Sequence, residues 1–253
     1  MLPVSVLILA RNEAHNIRDC IESVAFADEI IVIDDFSTDN TREIAESLGA
    51  KVIQRSLNGD WGGQQTFAVQ QASQPWILFL DADERISPEL SEEIRNTVCK
   101  RSADTAYWIQ RCNRFRFNKA KHGTLRPDYV CRLLPAEGTK VEGFVHPQIS
   151  HPYAEDRFKS PMYHYTYDNW DQYFRKFDQY TRLSAEKYQK AGKKASFFKD
   201  IVLRPIWAFL KVYFFDRGFL DGKLGWILAV NHYFYTMTKY VRLYYLNKSG
   251  GKL

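Results

Sequence analysis

Residues Ile77, Leu78, Phe79 and Leu80 form an apolar run of strand length that stops abruptly in Asp81, Asp83 and Glu84. An uninterrupted run of this kind suits a strand buried on both faces, as in a parallel sheet. Open α/β sheets bind their ligands just past the carboxyl ends of such strands. Asp81 and Asp83, one residue apart, are spaced to share a divalent cation that also holds a diphosphate, since magnesium-type sites use one or two carboxylates plus substrate phosphates. A strand end followed by acidic helix-capping residues fits the same letters, and the motif alone leaves both readings open.

The first hundred residues repeat the pattern around it. Val4–Ala10 is a strand-type run ended by Arg11, Asn12 and Glu13, and 16–24 has helical spacing through Ile17, Cys20, Ile21 and Val24. Glu29–Ile33 is a second strand that also ends in acids, Asp34 and Asp35. Ser37, Thr38 and Asp39 supply capping chemistry for a helix to Leu48, closed by Gly49. Lys51–Gln54 reads as a third strand, Gln64–Ala72 as a helix, and Trp76–Leu80 as the fourth strand. Ser87, Pro88 and Glu89 open another helix. Four strand–helix alternations predict a doubly wound, mostly parallel α/β sheet. Neither GxGxxG nor GxxxxGK[ST] occurs, so a Rossmann dinucleotide site or a P-loop is not supported.

After Ala106 short β runs follow, at Tyr107–Gln110, Arg114–Phe117, Tyr129–Leu134 and Val141–Phe144, which predict a mixed or antiparallel extension. Beyond Tyr165 the pattern is helical: a helix capped by Asp168 and Asn169 to about Gln189, then roughly 196–215 and 219–246. The expected division is therefore 1–165, carrying the sheet, and 166–253, a helical C-terminal extension.

The net charge of +5 hides an asymmetry. Residues 1–156 carry 17 Lys and Arg against 23 Asp and Glu, whereas 157–253 carry 18 against 7 and hold 25 of the 38 aromatic residues. Basic, aromatic-rich helices suit an anionic membrane surface; packing on the sheet domain or on a second subunit is the alternative. Arg204, Pro205, Lys211 and Asp216 interrupt every long apolar run, so no spanning helix is expected. The charges are interleaved with aromatics and no binding motif appears, so no nucleic-acid partner is expected. Four cysteines without CxxC spacing argue against zinc. The start, with no basic segment ahead of its apolar run, is not expected to be a signal peptide, and reduced thiols fit a cytoplasmic protein.

Ala10-Arg11-Asn12-Glu13, Asp28 through Asp35, Ser37-Thr38-Asp39 and Phe79 through Glu84 together resemble glycosyltransferase family 2, the inverting GT-A type, over about 85 residues in order and spacing. Pro127-Asp128 with Arg132-Leu133, Val145-His146, Arg204-Pro205 and Gly218 through Gly222 resemble a narrower branch, the lipopolysaccharide core β-glucosyltransferases that act on inner-core heptose. The resemblance implies a GT-A-like fold and a nucleotide-diphosphate sugar donor, commonly UDP-glucose. It further implies Mn²⁺ or Mg²⁺ as cofactor and a lipid-linked saccharide acceptor at the cytoplasmic face of an inner membrane, with the protein peripheral to it.

By the same resemblance, Ala10, Arg11 and Glu13 line the nucleotide pocket, Asp34 and Asp35 receive uracil or ribose, and Asp81 contacts ribose or donor sugar. Asp83 ligates the cation. His146 and His164 complete the metal shell, hold the diphosphate, or are simply hydrogen-bonded in place. Arg132 contacts an anionic group or pairs with a local acid. Inversion requires a general base: Asp128 is the first candidate, since Pro127-Asp128 with Arg132 resembles the family's acidic acceptor-side motif, and Glu142 is the second. Pro147 stands where relatives often carry a glutamate after Val-His, so a base there is absent. Gln64 and Gln65 stand where relatives often carry a basic residue. A non-catalytic nucleotide-sugar- or lipid-binding protein on the same fold is the alternative.

Overall fold

Why the apolar runs are continuous is visible in the layering of the sheet. The computed structural model describes residues 1–100, 104–116, 120–143 and 147–251. It begins β1 (Leu2–Ala10), α1 (Ile17–Glu22), β2 (Ala27–Asp34), α2 (Thr41–Ser47), β3 (Lys51–Gln54), α3 (Trp61–Gln71) and β4 (Trp76–Asp81). These four strands pair in parallel in the order β3-β2-β1-β4. Alternate residues of each strand point to opposite faces. Val4, Val6, Ile8, Leu78 and Leu80 join a core with α1, α2 and the later helix α4 (Pro88–Lys100). Leu7, Ile31, Ile33, Ile77 and Phe79 join a second core with Ala68 of α3. Both faces are covered, so the runs are apolar at both parities of position; the exception in β1, Ser5, is buried with its hydroxyl donating to Glu29.

The extension is mixed, as expected. It comprises β5 (Glu84–Ile86), β6 (Thr105–Phe115), β7 (Asp128–Pro135), β8 (Lys140–Glu142), β9 (Gln148–Ser150), β10 (Ala154–Arg157) and β11 (Met162–Tyr167). The order continues from β4 through β7, β6 and β11 to β5; β10 pairs with β6, and β8 with β9 forms a separate hairpin. Strand β7 is antiparallel to β4 and β6. Two expected strands, Tyr107–Gln110 and Arg114–Phe117, are one: β6 runs through Arg111 because that guanidinium meets carboxylates, described below. Phe117 and Phe144, the expected ends of two runs, lie outside the described residues, as does His146.

Contacts divide the chain into two compact units, Met1–Cys112 with Asp128–His164, and Asn113–Pro127 with Tyr165–Leu253. The excursion 113–127 thus belongs with the helices, which its β-like composition does not announce. In the second unit α5 (Trp170–Lys190) starts at Asn169, whose side chain accepts the Gln172 N–H at 2.8 Å. The expected helix 196–215 is three pieces: π-helical turns at Phe197–Leu203 and Lys211–Phe215 flank α6 (Arg204–Leu210). Pro205, with no N–H to donate, sits in the first turn of α6, where none is needed. A 3₁₀ turn at Gly218–Asp221 leads into α7 (Gly222–Lys248), which packs on α5 and α6. No described helix is long and apolar enough to cross a membrane.

Candidate active site

Parallel pairing sets three strand ends side by side. Ala10 registers with Asp34 across β1 and β2, and Leu9 with Asp81 across β1 and β4. The two acidic strand ends therefore flank the end of β1 at the carboxyl edge of the sheet, where open α/β sheets take their ligands.

The loops leaving β1 and β2 are tied together by side chains bonding to main chain. Asn12, at φ 56°, accepts the Thr38 N–H at 2.8 Å and donates its own N–H to Ser37 Oγ at 2.9 Å. The N–H of Glu13 donates to Thr41 Oγ1 at 2.8 Å, and that of Ala14 to Asp39 Oδ2 at 3.1 Å. Glu13 itself accepts from Asn16 Nδ2 at 2.8 Å. Ala10 is buried, its carbonyl accepting the Asp35 N–H at 2.9 Å. Asp34 is fully buried; it accepts from the Ser37 N–H and hydroxyl and from Gln54 Nε2. That carboxylate is consumed in holding the loop. Its neighbour Asp35 meets Arg11 Nη1 at 2.7 Å and the Leu57 N–H at 3.0 Å. Arg11 is mostly exposed, while Asp35 is nearly buried.

The end of β4 carries a denser network. Arg132 Nη2 donates to Asp81 Oδ2 at 2.6 Å and to Glu84 Oε1 at 2.7 Å. Arg111 Nη1 approaches Glu84 Oε1 at 3.4 Å, and Glu84 Oε2 also accepts the Asp81 N–H at 3.0 Å. Glu84 is fully buried, and burial pushes its carboxyl above the usual range. At Asp81 burial acts the same way, but the Arg132 guanidinium outweighs it and holds the carboxyl below the usual range. Arg132 is thus paired with the local acids Asp81 and Glu84. Arg85 latches the motif to the start of α1, donating to the Ala82, Glu84 and Asn16 carbonyls at 2.7–2.8 Å.

Asp83 points elsewhere. Its Oδ2 lies 3.3 Å from His164 Nε2, and the antiparallel register that sets His164 opposite Glu84 brings β11 to this position. Carboxylate and imidazole suit Mn²⁺ as donors. Among the described residues no group of three His, Cys, Asp or Glu is disposed to hold a metal. A carboxylate and an imidazole thus face each other at this position, and one or two side chains plus substrate phosphates are what an open cation site requires.

The two base candidates differ in surroundings. Asp128, at the start of β7, is bonded through both oxygens to Arg111, Nε at 3.1 Å and Nη2 at 2.7 Å, and its side chain is 45% exposed. Glu142 is exposed at the end of β8. Gln64 is buried and donates to the Arg55 carbonyl at 2.8 Å. A cleft of about 390 Å³ beside α3, lined by Arg55, Asp60, Thr66 and Gly143 among others, includes none of the strand-end acids.

Sequence reasoning missed Arg111 and Arg85. Both are arginines inside or beside strand runs, and a cation there needs acids from elsewhere in the chain. An unexplained arginine in an apolar stretch was the available signal.

The chain is 32% identical to an uncharacterized glycosyltransferase of Rickettsia felis, over 98% of this chain and 91% of that protein. It is 30% identical to the lipopolysaccharide core biosynthesis glycosyltransferase LpsC of Rhizobium meliloti, over 96% and 92%. Among solved structures, glucosyl-3-phosphoglycerate synthase from Mycobacterium tuberculosis, in complex with Mn²⁺, UDP and phosphoglyceric acid, matches 54% of this chain and 56% of that chain at 20% identity and a TM-score of 0.39. The family sequence model described as Glycosyl transferase family 2 matches residues 5–153, the span that carries β1 through β9 and every strand-end acid described above. With matches over that span and over nearly the whole length of its relatives, the chain belongs to glycosyl transferase family 2.

Proposed function

We propose that this glycosyltransferase transfers a hexose, with inversion, from a UDP-sugar to a lipid-linked saccharide, the inner-core heptose region of lipopolysaccharide being the acceptor class. The observation that carries the reading is the carboxyl edge where Asp35, Asp81 and Asp83 stand at or just past the ends of β2 and β4, on either side of the end of β1. The 30% identity to a lipopolysaccharide core enzyme supports the acceptor class.

In this reading Asp35 receives the nucleoside, displacing Arg11, which is exposed enough to turn toward the diphosphate; Ala10 and Glu13 shape the pocket beside it, and Asp34 fixes the loop. Asp81, ionised and oriented by Arg132, accepts from hydroxyls of the ribose or donor sugar. Asp83 and His164 hold the divalent cation, whose Lewis acidity offsets the charge that grows on the departing diphosphate. His146 is a further candidate for that shell. Without a cation the acids of this edge would repel the donor.

Asp128 takes the proton of the acceptor hydroxyl as that oxygen attacks the anomeric carbon opposite the leaving group. Arg111 orients this carboxylate through both of its oxygens, and Glu142 stays the second candidate. The place of action is the cytoplasmic surface of an inner membrane, where a lipid-linked acceptor is presented.

A thermal-shift screen of UDP-, GDP- and ADP-sugars with Mn²⁺, followed by measurement of UDP release on adding acceptor, tests the reading. Stabilisation by a UDP-hexose and acceptor-dependent release are expected. Binding with no release under any acceptor would make the chain a binding protein instead.

A further inference from the structure

The helical unit holds an apolar surface in solvent by deliberate backbone means. Gly218 and Gly225 touch so closely that a Cβ at Gly225 would lie 1.8 Å from the Gly218 carbonyl oxygen. This contact folds the Gly218–Asp221 turn back on α7. Asp221 pins the turn, accepting the Lys121 and His122 N–H groups at 3.1 and 2.7 Å and pairing with His122 Nδ1 at 2.7 Å. At the apex of this fixed turn stand Phe219 and Leu220, exposed to 47% and 56%. Hydrophobic burial does not explain a rigid turn that aims its two largest apolar side chains outward.

The surroundings extend the same surface. Phe198, Trp207, Phe214 and Phe215 of the π–α–π segment are each more than half exposed, and Trp226 in the first turns of α7 is 50% exposed. By contrast the later half of α7 buries Tyr240, Leu243 and Leu246 against Ala185 of α5 and is already occupied. The rings of Trp207 and Phe215 touch, and Tyr213 meets both Phe219 and Trp226, so exposed apolar side chains cluster here; such clustering marks an interaction face.

The charges around it identify the partner. Lys194, Lys199, Arg217 and Lys223 are exposed in the same stretch. All three carboxylates of residues 191–227 are taken up internally. Asp200 pairs with Arg204 and accepts the Ser196 N–H. Asp216 pairs with Arg126 and Lys211, and Asp221 is held as described. The stretch thus offers exposed aromatic and aliphatic groups interspersed with exposed cations, with its three acids paired within the protein. A second copy of this face would bring cations against cations. A bilayer with anionic headgroups complements it on both counts, taking rings into the headgroup region and pairing lysines with phosphates.

We propose that residues 197–227 are the membrane-docking surface, with Phe219 and Leu220 as its inserting tip and anionic phospholipid as its partner. The inference deepens the reading of a membrane-presented acceptor, and its test is separate because vesicle binding is measured with neither donor nor acceptor. The full chain is sedimented with vesicles of phosphatidylglycerol and phosphatidylcholine, and with phosphatidylcholine alone. At least about tenfold stronger partition onto the anionic vesicles is expected. The double variant Phe219→Ser/Leu220→Ser should lose about tenfold of that partition, with an unchanged circular dichroism spectrum and unchanged UDP-induced thermal shift. The triple variant Lys199→Glu/Arg217→Glu/Lys223→Glu should abolish the preference for anionic vesicles. Equal partition onto both vesicle types, or undiminished binding by the double variant, would overturn the proposal. So would a dimer dissociated by Phe219→Ser/Leu220→Ser in a protein that ignores vesicles.

Discussion

Arg132 Nη2 stands 2.6 Å from Asp81 Oδ2, and the same nitrogen reaches the fully buried Glu84 at 2.7 Å. One buried cation on β7 thereby aims one acid of the Asp81–Glu84 motif and neutralises another, and Asp83 is the acid left outside this arrangement, facing His164.

Removing that cation should be costly. Arg132→Met leaves the buried Glu84 carboxylate with the Asp81 N–H and the more distant Arg111, and removing one partner of a buried ion pair costs about 3–5 kcal/mol. Urea denaturation should show a loss in that range, and the double variant Arg132→Met/Glu84→Gln should recover part of it by deleting the orphaned charge.

Asp83→Ala should behave oppositely. Its side chain is partly exposed and, among the described residues, meets His164 at 3.3 Å, so stability should change by less than about 1 kcal/mol. Sugar transfer, read as acceptor-dependent UDP release, should vanish, and the Mn²⁺-dependent part of the UDP thermal shift with it. Transfer at a near-normal rate would reject the metal role.

His232 gives the helical unit a pH dependence. Burial, with Lys239 and Lys211 adding repulsion, lowers its pKa from 6.5 to about 4. A depressed folded-state pKa means the neutral form is favoured on folding. The stability it contributes is complete above pH 6.5 and falls as pH drops toward 4, by up to about 3 kcal/mol. Chemical denaturation at pH 7 and pH 4.5 should show this slope, and His232→Gln should flatten it.

Gly225→Ala forces a methyl into the Gly218 carbonyl. Overpacking of this kind costs about 1–3 kcal/mol. A lowered melting temperature is expected, together with weakened vesicle binding, because the Phe219 and Leu220 turn loses its anchor.

The strands β1 to β4 were readable because their signal is local. A run such as Ile77–Leu80 reports burial on both faces whatever it packs against, and Lys51–Gln54 was placed to the residue. β5 was not readable: Glu84-Arg85-Ile86 carries two charges in three positions, and only Arg132, Arg111 and the Asn16 carbonyl, all distant in sequence, make it a buried strand. The split of β6 at Arg111 was expected for the same reason and failed for the same reason.

At the site, the sequence by itself determined that acids end two strands and that family 2 residues surround them. Tertiary structure decided which acid does what. Asp34 and Asp35 are adjacent letters, yet one is buried in loop hydrogen bonds and the other meets Arg11. Asp81 and Asp83 differ likewise, and Asp128 acquires Arg111 through a cross-strand pairing. Hydrophobic periodicity is written in neighbouring residues, so a chain reveals it directly. The partner of a charge is chosen by strand register and sheet order, which bring together residues dozens of positions apart.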